Sequence, residues 1–127
     1  MGTRGVVDRN QLFVPTSLEE YVAKDNFVRI IDATVDALDM AALGFAEPKG
    51  AGRPPYPARD LVKLYVYGFV NRITSSRRLE AETKRNLEVM WLLRGQSPDF
   101  RTIAEFRRKY PDALRHALKA AMSVMDV

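Results

Sequence analysis

The chain has no cysteine and a single histidine, His116. Without thiols there is neither a disulfide framework nor a thiolate zinc site, and one imidazole gives no basis for a histidine metal pair or a Ser-His-Asp arrangement. Long apolar runs are also missing. The most apolar stretch, Leu61 to Val70, is broken by Lys63 and Gly68 and falls short of the ~20 residues that cross a bilayer. No basic start, apolar run and small-residue cleavage site marks a secretory signal. The seven glycines form no phosphate-binding loop between a strand and a helix, and the sequence shows no strand-like alternation, internal repeat or low-complexity tract. The acids Asp60, Glu80, Glu82 and Asp99 have no spacing that converges them on a two-metal site. The expectation is a non-catalytic, cytoplasmic or nucleoid-associated protein with no metal, cofactor or membrane contact, whose fold rests on its core alone.

What is present is an uneven charge. The 127 residues, 46% of them hydrophobic, suit one domain spanning 1–127. Residues 1–47 carry four bases and eight acids, whereas 48–127 carry sixteen bases and eight acids. A basic C-terminal part joined to an acidic N-terminal part fits a polyanionic partner, although a high isoelectric point alone would fit a domain that binds nothing charged. The placement of the bases decides between the two.

Helix signals run the length of the chain, and the predicted class is all-α: a compact multi-helix domain with a helix-turn-helix-like C-terminal half. Ser17-Leu18-Glu19-Glu20 reads as a capping box. Asp25 or Asn26 caps a helix with Phe27, Ile30, Ile31, Val35 and Leu38 on one face, leaving Arg29, Asp32 and Asp36 to be solvated or to meet bases elsewhere. Residues 44–57 hold four of the seven prolines and three glycines and read as a loop. Its Gly52-Arg53-Pro54-Pro55 is either a packed turn or a minor-groove arm. Pro57 opens the helix expected to be longest and central, with Leu61, Leu64, Tyr65, Gly68, Phe69 and Ile73 on adjoining faces. Asn86 starts a short helix that turns Leu87, Met90, Trp91 and Leu92 or Leu93 inward and stops at Gly95. Thr102-Ile103-Ala104-Glu105 reads as a second capping box, with Ile103, Phe106 and Tyr110 inward. A final amphipathic segment, Asp112 to Met125, offers Leu114, Leu118, Ala121, Met122 and Met125 to the core, to a dimer seam or to another domain.

Residues 72–110 concentrate the chemistry. They hold ten bases and five acids, an excess of five against +4 for the whole chain. Arg77 and Arg78 fall in the first turn after Ser75 and Ser76, where the helix dipole disfavours cations and a phosphate would offset the cost. Pairing with Glu80 or Glu82 is the alternative. Lys84 and Arg85 extend this surface, and Arg108 and Lys109 project from the next helix with Arg107 at its flank. The candidate DNA-contacting residues are Arg72, Ser75, Ser76, Arg77, Arg78, Lys84, Arg85, Arg101, Thr102, Arg107, Arg108 and Lys109. The bases neutralise phosphates, and the hydroxyls fix register.

The linked motifs Gly52-Arg53-Pro54-Pro55-Tyr56-Pro57, Ser75-Ser76-Arg77-Arg78-Leu79-Glu80, Met90-Trp91-Leu92 and Pro98-Asp99-Phe100-Arg101-Thr102-Ile103, followed by Phe106-Arg107-Arg108, occur in one order. Upstream stand Leu12-Phe13-Val14-Pro15 and Ser17-Leu18-Glu19-Glu20-Tyr21-Val22. Over roughly residues 10–110 the chain resembles the N-terminal domain of insertion-sequence transposases of the InsH type. It departs at Asn26-Phe27, where many relatives have His and Pro. The resemblance implies an all-helical domain that binds double-stranded DNA at the terminal inverted repeats, followed by an RNase H-like domain whose three acids bind two metals. The chain ends at Val127, before such a domain, so the expectation is end recognition without catalysis. The alternative is a helical module that forms a homodimer or docks to a catalytic domain.

Overall fold

The computed structural model describes residues 17–45 and 56–126. Most of the expected loop at 44–57, including Gly52-Arg53-Pro54-Pro55, lies outside them. Among the described residues there are eight helices and no strand: α1 (Leu18–Tyr21), α2 (Phe27–Asp36), α3 (Met40–Leu43), α4 (Ala58–Val70), α5 (Ser76–Arg85), α6 (Leu87–Leu92), α7 (Phe100–Lys109) and α8 (Pro111–Met125). The all-α expectation holds. No described helix is long and apolar enough to cross a membrane.

Local chemistry sets most of the starts. The Ser17 amide donates to the Glu20 carboxylate at 3.2 Å, the return arm of the expected capping box. Asn26 rather than Asp25 caps α2, its side chain accepting from the Val28 amide at 2.9 Å. Asn86 closes α5 and caps α6, accepting from the Glu88 amide. Gly95, at φ 82°, ends the turn after α6 with its amide on the Met90 carbonyl at 2.8 Å.

α4 is central, with every residue from Asp60 to Gly68 buried. α2 lies antiparallel to it. At one end the Arg59 guanidinium donates to the carbonyls of Val35, Asp36 and Leu38 at 2.7–3.0 Å. Midway Lys63 meets Asp32 at 2.6 Å and Asp36 at 2.9 Å, so the acidic side of α2 finds its base inside the fold. At the other end Phe27 and Val28 share a groove with Tyr67 and Val70. Gly44 touches Ala113 near the start of α8, and α8 runs back along α2 and α4. Its Ala113, Leu114, Ala117 and Ala121 are buried, with Leu118, Met122 and Met125 packed against the core. Of its three expected roles, α8 takes completion of the core. Each fully buried aliphatic here, such as Ile31, Leu64, Leu79 and Ile103, contributes about 1.5–3 kcal/mol.

Gly68 is required by close approach. A Cβ there would lie 2.7 Å from the Ile73 carbonyl oxygen and 3.0 Å from Leu79, because the chain folds back after α4 with the Ile73 amide on the Gly68 carbonyl at 2.7 Å.

Five local expectations are corrected. Pro57 is the N-cap of α4 rather than its first helical residue, and α8, with 15 residues, is longer than α4 with 13. Phe69 is exposed, since the buried side of α4 ends with Gly68 where the chain turns. Leu87 is also exposed while Val89, Leu92 and Leu93 are buried. The Asn26 side-chain amide holds the Glu88 carboxylate at 2.8 Å, which anchors the start of α6 by a polar contact rather than by Leu87. Finally, α7 starts at Phe100, not after Thr102. Asp99 is its N-cap and accepts from the Thr102 amide at 2.8 Å; an ionised carboxylate at a helix start outcompetes a threonine hydroxyl.

Candidate nucleic-acid interface

α5 and α7 pack side by side in opposite directions, as three contacts show. Thr83 and Ser97 share a hydroxyl hydrogen bond at 2.7 Å, and the Glu80 carboxylate accepts from the Phe100 amide at 2.9 Å. Further along, the Ser76 hydroxyl sits beside the Tyr65 phenol, which donates to the Ile103 carbonyl. The start of α5 therefore lies next to the middle of α7.

This packing lays arginines on aromatic rings. The Arg77 guanidinium is 3.8 Å from the centroid of Phe100, and that of Arg101 lies 5.5 Å from the same ring. Arg107 lies 5.8 Å from Tyr65, and the Lys109 ammonium 5.5 Å from Tyr110. Beneath them Phe45, Tyr65, Phe106 and Tyr110 pack on one another. A ring quadrupole attracts a cation and limits its rotamers without neutralising it. Burial pushes the Tyr65 phenol upward, with the nearby Arg107 opposing that shift. Among the described residues none of Arg72, Arg77, Arg78, Arg101, Arg107 and Lys109 forms an ion pair with a carboxylate.

The other candidate bases are occupied. Lys84 pairs with Glu80 at 2.8 Å, Arg85 with Glu82 at 3.1 Å, and Arg108 with Glu105. Lys84 and then the Phe100 amide hold the Glu80 carboxyl below its ordinary range. For Glu82 the Asn86 side-chain amide is the first cause of a downward shift.

The two helix starts differ as anion sites. At α5 the Ser75 hydroxyl accepts from the Arg78 amide at 3.3 Å, and the first turn holds no acid. The first-turn amides of Ser76 and Arg77 have no intrahelical partner, as at any helix start. At α7 the Asp99 and Glu80 carboxylates already occupy the amides of Thr102 and Phe100. Hydrogen bonds from Thr102 hold the Asp99 carboxyl below its usual range, so both acids are ionised. An external anion is thus accommodated at α5 and opposed at α7.

The structure accordingly brings together Ser75, Ser76, Arg77, Arg101 and Arg107, with Arg78 on the next position of α5. Arg72, at φ 59°, stands in the connection leading into α5. Thr102 is inside the first turn of α7, with its amide committed to Asp99. Lys84 and Arg85 lie at the far end of α5. The sequence reading missed Phe100 and Tyr65 as supports for the arginines. The available signal was Asp99, three residues before Thr102, which marks an N-cap and places Phe100 and Arg101 on the helix.

A second charged region lies between α1, α2, α4 and α6, around a cavity of about 630 Å³ lined by Glu19, Asp32, Asp36, Arg59, Lys63, Trp91 and Arg94, among others. Asp60 is buried there and accepts from Arg94 at 2.6 Å and Gln96 at 2.7 Å. Arg29 lies over Trp91 at 4.8 Å and pairs with Glu19 at 2.8 Å. The Trp91 indole, followed by Arg29 and Lys24, lowers the Glu19 carboxyl to about 2.

The fold and this face define a small all-α domain in which, among the described residues, Arg77, Arg101 and Arg107 rest on rings and form no ion pair with a carboxylate. A family model described as Transposase domain (DUF772) matches residues 16–109, and the chain belongs to that transposase domain family. The match runs from the start of α1 to the last residue of α7, while α8 beyond it supplies part of the core. No curated protein and no solved structure matches the chain.

Proposed function

We propose that this chain is the DNA-binding part of a transposase and holds the terminal inverted repeats of its element. The observation that carries this reading is the set of ring-supported, carboxylate-free arginines Arg77, Arg101 and Arg107 beside the acid-free start of α5. Phosphates lie across Ser75, Ser76, Arg77, Arg101 and Arg107, with Arg72 and Arg78 at the margin. Backbone amides, hydroxyls and fixed guanidiniums are the groups that position a nucleic-acid backbone. Lys109, exposed near the end of α7, reaches toward base edges, and Arg108 joins it on leaving Glu105, which makes α7 the helix that approaches the groove. Lys84 and Arg85, tied to their own acids, contribute least, and Thr102 serves through the helix it belongs to. Such binding places the protein on the nucleoid. In a full transposase the domain delivers an end to an RNase H-like catalytic domain and performs no strand chemistry itself.

The test is duplex binding across a salt series. With about five phosphates neutralised, log K falls against log salt with a slope near −4 to −5, and the element's terminal repeat is preferred over random duplex. A slope near zero, or no such preference, ends this reading.

A further inference from the structure

Phe100, the first residue of α7, is held at two points by one side of α5. The Arg77 guanidinium lies 3.8 Å from its ring centroid. One turn further on, the Glu80 carboxylate accepts from its backbone amide at 2.9 Å, across 20 residues of chain. Arg77 and Glu80 stand at i and i+3, neighbours on a helix surface, so the strip of α5 that meets the ring also fixes the main chain carrying it. The same ring lies under Arg101. The two oxygens of Glu80 are divided: one takes the Phe100 amide, and the other takes the Lys84 ammonium at 2.8 Å. Lys84 thereby offsets the negative charge that Glu80 places near a cationic face. Asp99 caps the same turn through the Thr102 amide, a link local to α7; Glu80 is what ties Phe100 itself to α5.

We propose that Glu80 is a positioning residue for the nucleic-acid face: by holding the Phe100 amide it seats the ring on which Arg77 and Arg101 rest, so that an acid favours the binding of a polyanion. The proposal rests on the reading of the α5–α7 face as the DNA contact. Simple electrostatics gives the opposite sign. An acid near a phosphate backbone repels it, and its loss, which also frees Lys84, would strengthen binding. Pre-organised geometry outweighs that repulsion. The exposed charge is screened over about 8 Å at physiological salt, whereas a guanidinium that leaves its ring loses its fixed place against the phosphate.

The experiment separates reach from charge. Glu80→Asp keeps the charge and falls one methylene short of the Phe100 amide; Glu80→Gln removes the charge and keeps an oxygen that accepts. Binding of a fluorescein-labelled duplex of random sequence is followed by anisotropy over a salt series, per folded molecule as judged by circular dichroism. Glu80→Asp is expected to weaken binding about fivefold and to lower the salt slope by about one unit, while Glu80→Gln binds at least as tightly as the unaltered chain. Phe100→Leu removes the ring, and in that background Glu80→Asp costs nothing further. Without DNA, the ring current should shift the Arg77 side-chain protons upfield in the unaltered chain and in Glu80→Gln, but not in Glu80→Asp. Unchanged affinity in Glu80→Asp, an equal loss in Glu80→Gln, the full loss persisting beside Phe100→Leu, or an Arg77 shift unmoved by Glu80→Asp overturns the proposal. A slope near zero in the unaltered chain ends the DNA reading instead, and the Arg77 shift then still decides whether Glu80 seats the ring.

Discussion

The cations of the α2–α4 region and those of the α5–α7 face are used in opposite ways. Around α4, Arg59 satisfies the carbonyls that end α2, Lys63 bridges Asp32 and Asp36, and Arg94 is held by the buried Asp60. Each has its counter-charge or acceptor within the fold. Burial alone would lower the Lys63 ammonium, but the hydrogen bonds and charges of Asp32 and Asp36 outweigh it and raise it overall. On α5 and α7 the partners of Arg77, Arg101 and Arg107 are rings, which orient a guanidinium and leave its charge in place. Equal numbers of arginines in two segments therefore say little about binding; the acceptor beside each one does.

Four measurements can break or sharpen this contrast. Lys63→Ala leaves Asp32 and Asp36 facing each other beside a buried gap and is expected to cost about 2–3 kcal/mol in urea unfolding. That is the lower end for a broken buried pair, because the two acids are partly solvated. Duplex affinity per folded molecule should not change, and a matching loss of affinity would erase the distinction between the regions. Replacing Arg77 and Arg101 together by alanine should flatten the salt dependence of duplex binding by about two units of slope. Stability should move by no more than about 1 kcal/mol; unfolding with an unaltered slope would assign these arginines to the fold instead. Glu105→Gln releases Arg108 and should strengthen duplex binding about two- to fivefold, the range of an exposed pair, as read by fluorescence anisotropy. The smallest effect is titration of Glu19. Its carboxyl is lowered from 4.5 to about 2, so its contribution is complete above pH 4.5 and is lost as pH falls through about 2. Trp91, the only tryptophan, should report that loss as a fluorescence change absent in Glu19→Gln.

Much of the fold was legible because its causes are local. A cap acts across three residues, so Ser17 and Asn86 could be read directly and the caps of α2 and α5 to within a neighbouring residue, and Gly95 marked its stop in the same way. The start of α7 was misread because Asp99 and Thr102 both suit an N-cap, and the competition is settled partly by Glu80, which arrives from α5 to hold the Phe100 amide. The pairing of Lys84 with Glu80 at i,i+4 and of Arg85 with Glu82 at i,i+3 was within reach of spacing alone. Counting bases across the segment obscured it. The exposure of Phe69 and Leu87 was not within reach, since helical periodicity names an apolar stripe without saying how far along a helix its neighbours extend.

By itself the sequence determined the helical class, most helix ends, the absence of thiol chemistry and the segment in which unbalanced positive charge accumulates. These follow from short-range hydrogen bonding, periodicity and composition, which need no partner distant in the chain. Only the tertiary structure decided which cations remain unpaired. That depends on whether α2, α4 or α7 presents a carboxylate, a carbonyl or a ring to a side chain far along the chain, as Asp60 does to Arg94, 34 residues away. Packing likewise turned α8 into core and left Phe27, Ile30, Phe69, Leu87 and Val124 exposed.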